Sequence, residues 1–248
     1  MTIYDPEGEQ YIIKGGNIIG TNSYFSKKIS NLQSEIDTTK NVNDIQHKQK
    51  LINMYWHKRD NKINTIFNEI VMKLSLLYPN KKEIIIGYNE NWKQKVNMGR
   101  KNNDKFYKIP YKKLINKLRN KMGQNGTQII EVNESYTSKC DALNLESINK
   151  HEIYSGSRIK RGLFKSQTGK YINADLNGAI NIFRKHNEIT TISGKNIYNP
   201  KTIKIRIPPN RISTYDIQNE DYNTDEIISY YNQIVITRIN KHNHDDIH

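Results

Sequence analysis

An α/β fold is what this sequence predicts, and three observations predict it. Two short apolar runs, "EIIIGY" (83–88) and "TQIIEV" (127–132), are bounded by turn residues, as buried strands are. Between them "YKKLINKLRNKMGQNG" (111–126) repeats its apolar residues at helical spacing and ends in glycines. After them "GKYINA" (169–174) reads as a strand that gives way to a helix rich in small and apolar residues from Asp175. Strands alternating with helices from 81 to 185 imply a sheet packed by helices.

Residues 1–19 read as two short strands around a turn, with Asp-Pro and Glu-Gly turn chemistry inside "TIYDPEGEQYII". Residues 22–77 read as an antiparallel helical pair: Ile29, Leu32 and Ile36 recur at helical spacing, and so do Met54, Ile63, Ile66, Phe67, Ile70, Val71 and Leu74. The polar "DTTKNVNDIQHKQK" between them is expected to be a loop or helix tip. Residues 91–110 read as a basic, aromatic-bearing loop, and residues 137–170 are expected to be irregular. The polar stretch 206–248, with Pro208, Pro209 and the acidic "NEDYNTDE", is expected to be a peripheral tail.

Composition narrows the function classes. The formal net charge of +14 and the isoelectric point near 9.6 favour polyanionic partners, nucleic acid above all. A single cysteine, Cys140, excludes an intrachain disulfide and any zinc site built from several thiolates. The longest apolar runs are too short to span a bilayer, and "MTIYDPEGEQ" has neither the basic flank nor the apolar run of a signal peptide. A soluble intracellular protein is expected.

The candidate chemistry is that of carboxylates. Metal-assisted hydrolysis of a phosphodiester needs acidic side chains held at one point. Glu134 lies at the end of the strand "TQIIEVNE" and Asp175 where a strand becomes a helix, so both sit where a backbone can hold them rigidly. Asp175 has two readings, a helix cap and a ligand for a hard divalent cation. For nucleic acid, Trp92, Lys93, Arg100 and Lys101 combine an aromatic ring with cations, and Arg158, Lys160 and Arg161 form a second basic run. Such charge runs also occur as plain solvated surface.

"NESYTSKC" (133–140), "YSGSRIKRGLF" (154–164) and "INADLNGAINIFRK" (172–185), in that order and spacing, resemble the C-terminal RuvC-type half of the TnpB/OrfB transposon-associated nucleases. The resemblance is nearest to the branch in large DNA viruses and the related Fanzor proteins. The blocks at 84–122, 22–34 and 57–64 resemble the preceding family blocks, so about residues 1–205 are covered. The resemblance implies an RNase H-like mixed sheet with an inserted helical pair, incomplete at the N-terminus. It implies an RNA-guided, Mg²⁺-dependent DNA endonuclease with guide RNA and DNA as partners, in the nucleus or a virus factory of the host cell.

Carried over residue by residue, Asp175 matches the last catalytic Asp. The usual middle Glu falls at Gly87 or Tyr88, but one branch places it just before the Tyr-Thr-Ser triplet, where this sequence has Glu134. The first catalytic Asp belongs to a Gly-Ile-Asp-Leu-Gly type strand, and no such string occurs here. The family's paired Cys-x-x-Cys knuckles are also missing. With Cys140 and His151 alone in that stretch, 137–170 is expected to be a degenerate zinc ribbon without zinc. Three readings stay open: a truncated or decayed nuclease, a split-enzyme half whose missing strand comes from another chain, and a non-catalytic basic binding protein.

Overall fold

The computed structural model describes residues 1–89, 109–189 and 191–205 and the backbone of 233–236. Trp92, Lys93, Arg100 and Lys101 lie outside the described residues. Within them the chain is mixed α/β, with two sheets.

The N-terminal hairpin is present: β1 (Thr2–Tyr4) pairs antiparallel with β2 (Tyr11–Ile13), Thr2 opposite Ile12. Its turn is fixed from inside by Gln10, whose amide donates to the Asp5 carbonyl at 2.8 Å while its Oε1 accepts the Asp5 N–H at 3.0 Å. Asp5 also meets Lys81 at 3.1 Å, with both side chains 4% exposed. A buried pair of this kind fixes the position of the turn more than it stabilises the fold.

Helices α1 (Gly16–Thr38) and α2 (Val42–Leu77) form the expected helical pair, but α1 begins earlier than expected and only residues 39–41 connect the two. Most of the polar stretch expected as a loop is therefore helical. The Asn41 side chain accepts the N–H groups of Asn43 and Asp44 and so caps α2. Lys48 bridges Asp44 one turn back and Glu35 on α1, at 2.6 and 3.4 Å. Polarity at this tip marks exposure rather than a break in the helix.

The central unit is β3 (Glu83–Gly87), α3 (Tyr111–Gly123) and β4 (Gln128–Val132). The two strands are parallel neighbours, in register from Glu83–Gln128 to Gly87–Val132. Residues 137–170, expected to be irregular, contain β5 (Ser157–Lys160) and β6 (Leu163–Lys165). With β7 (Tyr171–Asn173) they make a three-stranded antiparallel sheet. These strands are short, and β5 is exposed along its whole length, so no alternation of apolar and polar residues announces it. Helix α4 (Ala174–His186) follows directly.

β8 (Lys201–Ile203) pairs parallel with β2, and β9 (Gln233–Ile236) enters the larger sheet, whose order is β4-β3-β9-β1-β2-β8. β9 arises inside the stretch expected to be a polar tail. Its sequence, Gln-Ile-Val-Ile, is a β-branched run.

Helices cover both faces of this sheet, which explains the unbroken isoleucines of β3. Ile84 and Ile86 face the layer of α1, α2 and α3, packing with Ile63, Phe67, Leu74 and Leu118. Ile85 faces α4, packing with Leu176, Ala179, Ile180 and Phe183. Adjacent strand residues point to opposite faces, so one apolar run serves two cores.

Candidate functional site

The candidate site lies where β3, β4, β1 and α4 meet. Helix α4 runs antiparallel to β3. His186 comes within 3.8 Å of Glu83 at the start of β3, whereas Ile182 packs over Gly87 at its end. The N-terminus of α4 therefore lies beyond the C-terminal ends of β3 and β4. β1 is antiparallel to β9, which is parallel to β3, so the head of β1 also lies at this end.

Asp175 sits in the first turn of α4 and is half-buried. It does not cap the helix, as the sequence reading expected. Asn173 does, because it has extended backbone angles and its Oδ1 accepts the N–H groups of Asp175 and Leu176 at 2.9 and 3.2 Å. The Asp175 carboxylate remains at the positive end of the helix dipole. Beside it is the amine of Met1, which is hydrogen-bonded to the Ile13 carbonyl at 2.9 Å. Burial pulls the pKa of that amine down to about 5, while the charge of Asp175 pulls it back up.

Glu134 lies two residues beyond β4. Its backbone N–H donates to Asn89 Oδ1 at 3.1 Å, and its carbonyl accepts the Thr137 hydroxyl at 2.7 Å. Its Oε1 is shielded from solvent. Gly87 makes room for it: a Cβ there would sit 3.2 Å from the Glu134 Cβ and collide with Ile182. The position that carries no acid on β3 thus gives its space to the acid that follows β4. Glu134 and Asp175 stand at the same end of the parallel strands. Among the described residues, no group of three or more His, Cys, Asp or Glu side chains is placed to hold one metal ion. As a donor set, two carboxylates suit a hard, oxygen-seeking cation such as Mg²⁺, which keeps most of its waters.

The loop after β4 is held by the polar face of α4, which sequence reasoning missed. Asn177 donates to the Cys140 carbonyl and accepts the Ala142 N–H; Asn181 donates to the carbonyls of Thr137 and Cys140. Arg184 donates to the Glu146 carbonyl, and Lys185 to those of Asn133 and Ser135, on either side of Glu134. The signal was two asparagines at i and i+4 among the apolar residues of α4, both fully buried.

The three-stranded sheet is pinned to this loop by Asp141, which is also fully buried. Its Oδ2 accepts from the Ser166 hydroxyl and the Gln167 N–H, both at 2.8 Å, and its Oδ1 from the Asn144 N–H at 3.3 Å. Glu146 accepts the N–H groups of Asp141 and Ser155 at 2.6 and 2.8 Å. Burial works to raise the pKa of Glu146, but these donors outweigh it and hold the carboxyl below its usual value. Cys140 donates to the Asn149 carbonyl and His151 engages the Ser147 carbonyl.

Arg158 and Lys160 on β5, and Arg161 in the turn to β6, are exposed. Around them Ile159 is 53% and Tyr171 49% exposed, and Lys165 stands over the Tyr171 ring at 6.0 Å. This outer face therefore sets several cations around one exposed ring, Tyr171. The basic helix α3 differs: Lys112 and Arg119 pair with Glu131, at 3.4 and 2.8 Å, and Lys117 donates to Asn68. No helix among the described residues is long and apolar enough to cross a membrane.

Residues 111–182 match the family model described as Cas12f1-like, TNB domain. The match takes in Glu134, Asp175 and the whole three-stranded sheet. The sequence is also 28% identical over 171 residues to the TnpB-like protein ORF457 of Acidianus two-tailed virus, covering 65% of this chain and 34% of that protein. The chain thus spans about a third of the length of the curated relative it matches. The motifs at 133–140, 154–164 and 172–185 lie within or beside these matches, and both point to similarity with TnpB-like and Cas12f1-like proteins.

Proposed function

We propose that this chain is a nucleic-acid-binding member of the TnpB-type nuclease family with an RNase H-like core, and that Glu134 and Asp175 would hold a single Mg²⁺. The observation that carries the reading is the placement of both acids at the C-terminal end of the β3–β4 pair, on the segment that matches the family. Mg²⁺ bound there would supply charge to a phosphate oxygen. The protein's own part is to hold both acids still, through Asn89 and Lys185 on the Glu134 side and the Asn173 cap on the Asp175 side.

In-line phosphodiester displacement needs both the attacking and the leaving oxygen stabilised, and one ion held by two carboxylates serves one of them. Cleavage therefore depends on a further carboxylate supplied by another chain, and this chain alone binds without cutting. DNA and guide RNA are the partners. The exposed face of Arg158, Lys160, Arg161 and Tyr171 contacts phosphates and stacks on bases. Residues 137–170 are held by Asp141 and Glu146 rather than by zinc.

Fluorescence anisotropy with labelled DNA and RNA oligonucleotides tests the binding. Affinity should be on the order of micromolar at low salt and fall steeply as salt rises. Replacing Arg158, Lys160 and Arg161 together by Ala should weaken binding to all sequences alike and lower the salt slope by on the order of 2–3. Binding that ignores both salt and these substitutions would refute this reading. Robust cutting by the chain alone with Mg²⁺ or Mn²⁺, lost on Asp175→Ala, would overturn the dependence on a further carboxylate.

A further inference from the structure

The strand at the centre of the larger sheet comes from the far end of the chain. On one side β9 runs parallel to β3, with Gln233 opposite Glu83 and Ile236 opposite Ile86. On the other it runs antiparallel to β1, with Ile236 opposite Ile3 and Val235 opposite Tyr4. It therefore uses both of its backbone edges, and it joins the β3–β4 pair to the β1–β2–β8 group. Removing it would leave two unpaired strand edges about 10 Å apart, given the usual spacing of strands. Those edges are lined by Ile3, Tyr4, Ile84, Ile85 and Ile86, all buried. Unpaired backbone in such a setting loses its hydrogen bonds without regaining them from water.

Along the chain, β9 lies far from the strands that flank this slot. Its nearest described neighbour in sequence is β8, at the opposite edge of the sheet. The connection, residues 204–232, can span on the order of 90 Å when extended, whereas crossing β2 and β1 takes about 14 Å. No tight turn fixes β9 to either strand beside it. A slot with two hungry edges, filled by a short strand on a long tether, accepts the same strand equally well from a second molecule.

We infer that the slot between β1 and β3 is a strand-exchange site, and that its partner is a second copy of this chain, which supplies β9 in trans. The exchanged strand makes the same backbone pairs in the same register, so cis and trans forms differ only in the tether. A connection of this length keeps the chain's own strand at an effective concentration on the order of millimolar. The cis form dominates in dilute solution, and the exchanged dimer grows as the chain is concentrated or refolded at high concentration. The C-terminal end of β9 lies at the same edge of the sheet as Glu134 and Asp175. In the exchanged dimer, each copy's candidate site is thus floored by a strand of the other.

A crosslink reads the exchange directly. In a Cys140→Ser background, Ile3→Cys with Ile236→Cys places thiols on opposed positions of β1 and β9. Oxidised after refolding in dilute solution, this chain should run as an internally crosslinked monomer. After refolding near millimolar concentration, a large share should run as a covalent dimer that reduction returns to monomer. Adding Val235→Pro, which removes a strand N–H, should abolish both products. The unmodified chain gives a second reading: isotope-labelled and unlabelled copies refolded together at high concentration should yield mixed dimers in native mass spectrometry. Internal crosslinks alone at every concentration, with no mixed dimers, would overturn strand exchange. No crosslink of either kind would overturn the place of β9 in the slot. Neither result bears on metal or nucleic-acid binding, which the anisotropy and cleavage assays read separately.

Discussion

The two sheets of this protein are held together by opposite means. The larger one is an apolar sandwich, with Ile84 and Ile86 against the three-helix layer and Ile85 against α4. The smaller one, β5-β6-β7, buries Phe164 and Ile172 and little else of its own strands. Its cohesion with the loop before it comes from Asp141 and Glu146, each accepting protein N–H or O–H groups on both carboxylate oxygens. The difference also separates structural acids from candidate functional ones. Asp141 is closed off inside its own donors, whereas Asp175 sits half-buried at the start of a helix, at the end of the parallel strands.

The contrast is most easily broken on the apolar side. Ile85→Ala removes a fully buried side chain between β3 and α4 and should cost about 4 kcal/mol, read as a lower urea midpoint for the whole chain. On the polar side, Asp141→Ala orphans the Ser166 hydroxyl and the Gln167 N–H at once. It should cost about 3 kcal/mol, with the exchange of amide hydrogens in 157–173 raised more than in β3 and β4. If the brace replaces a metal, EDTA should leave the melting temperature of the unaltered chain unchanged; a large drop would contradict this.

The smallest effect sharpens the comparison through pH. The Glu146 carboxyl is held below its ordinary value of 4.5 in the folded chain, so the unfolded chain takes up the proton first as pH falls. The stability it contributes is fully present above pH 4.5 and is lost as pH drops through the folded value. Glu146→Gln should therefore lower the melting temperature at pH 7, and the gap to the unaltered chain should narrow below pH 4.5. A gap that is constant with pH would mean that the charge of Glu146 does not brace this loop.

How legible each region was in the sequence follows from the same contrast. The strands "EIIIG" and "QIIEV" and the helix between them were legible because apolar burial imposes a period, and a period survives in one dimension. The motif at 172–185 located Asp175 for the same reason, since an apolar helix face and the acid at its start are adjacent in the chain. β5 and β6 were illegible because strands with four or fewer residues, mostly exposed, carry no alternation to detect. The brace formed by Asn177, Asn181, Arg184 and Lys185 was illegible for another reason. Its partners are backbone carbonyls, and any residue supplies one of those.

By itself the sequence determined the charge, the two-faced apolar strands, the helical pair and the carboxylates available for chemistry. Only the tertiary structure decided that Asn173 rather than Asp175 caps α4. The cap depends on which backbone angles precede the helix. It alone gave the space above Gly87 to Glu134, because that space exists only where β3, β4 and α4 converge. And it alone put β9 at the centre of the sheet. Strand pairing is a contact between backbones, which almost any short β-branched run can make, so sequence says that 233–236 can be a strand but not which edges it will satisfy.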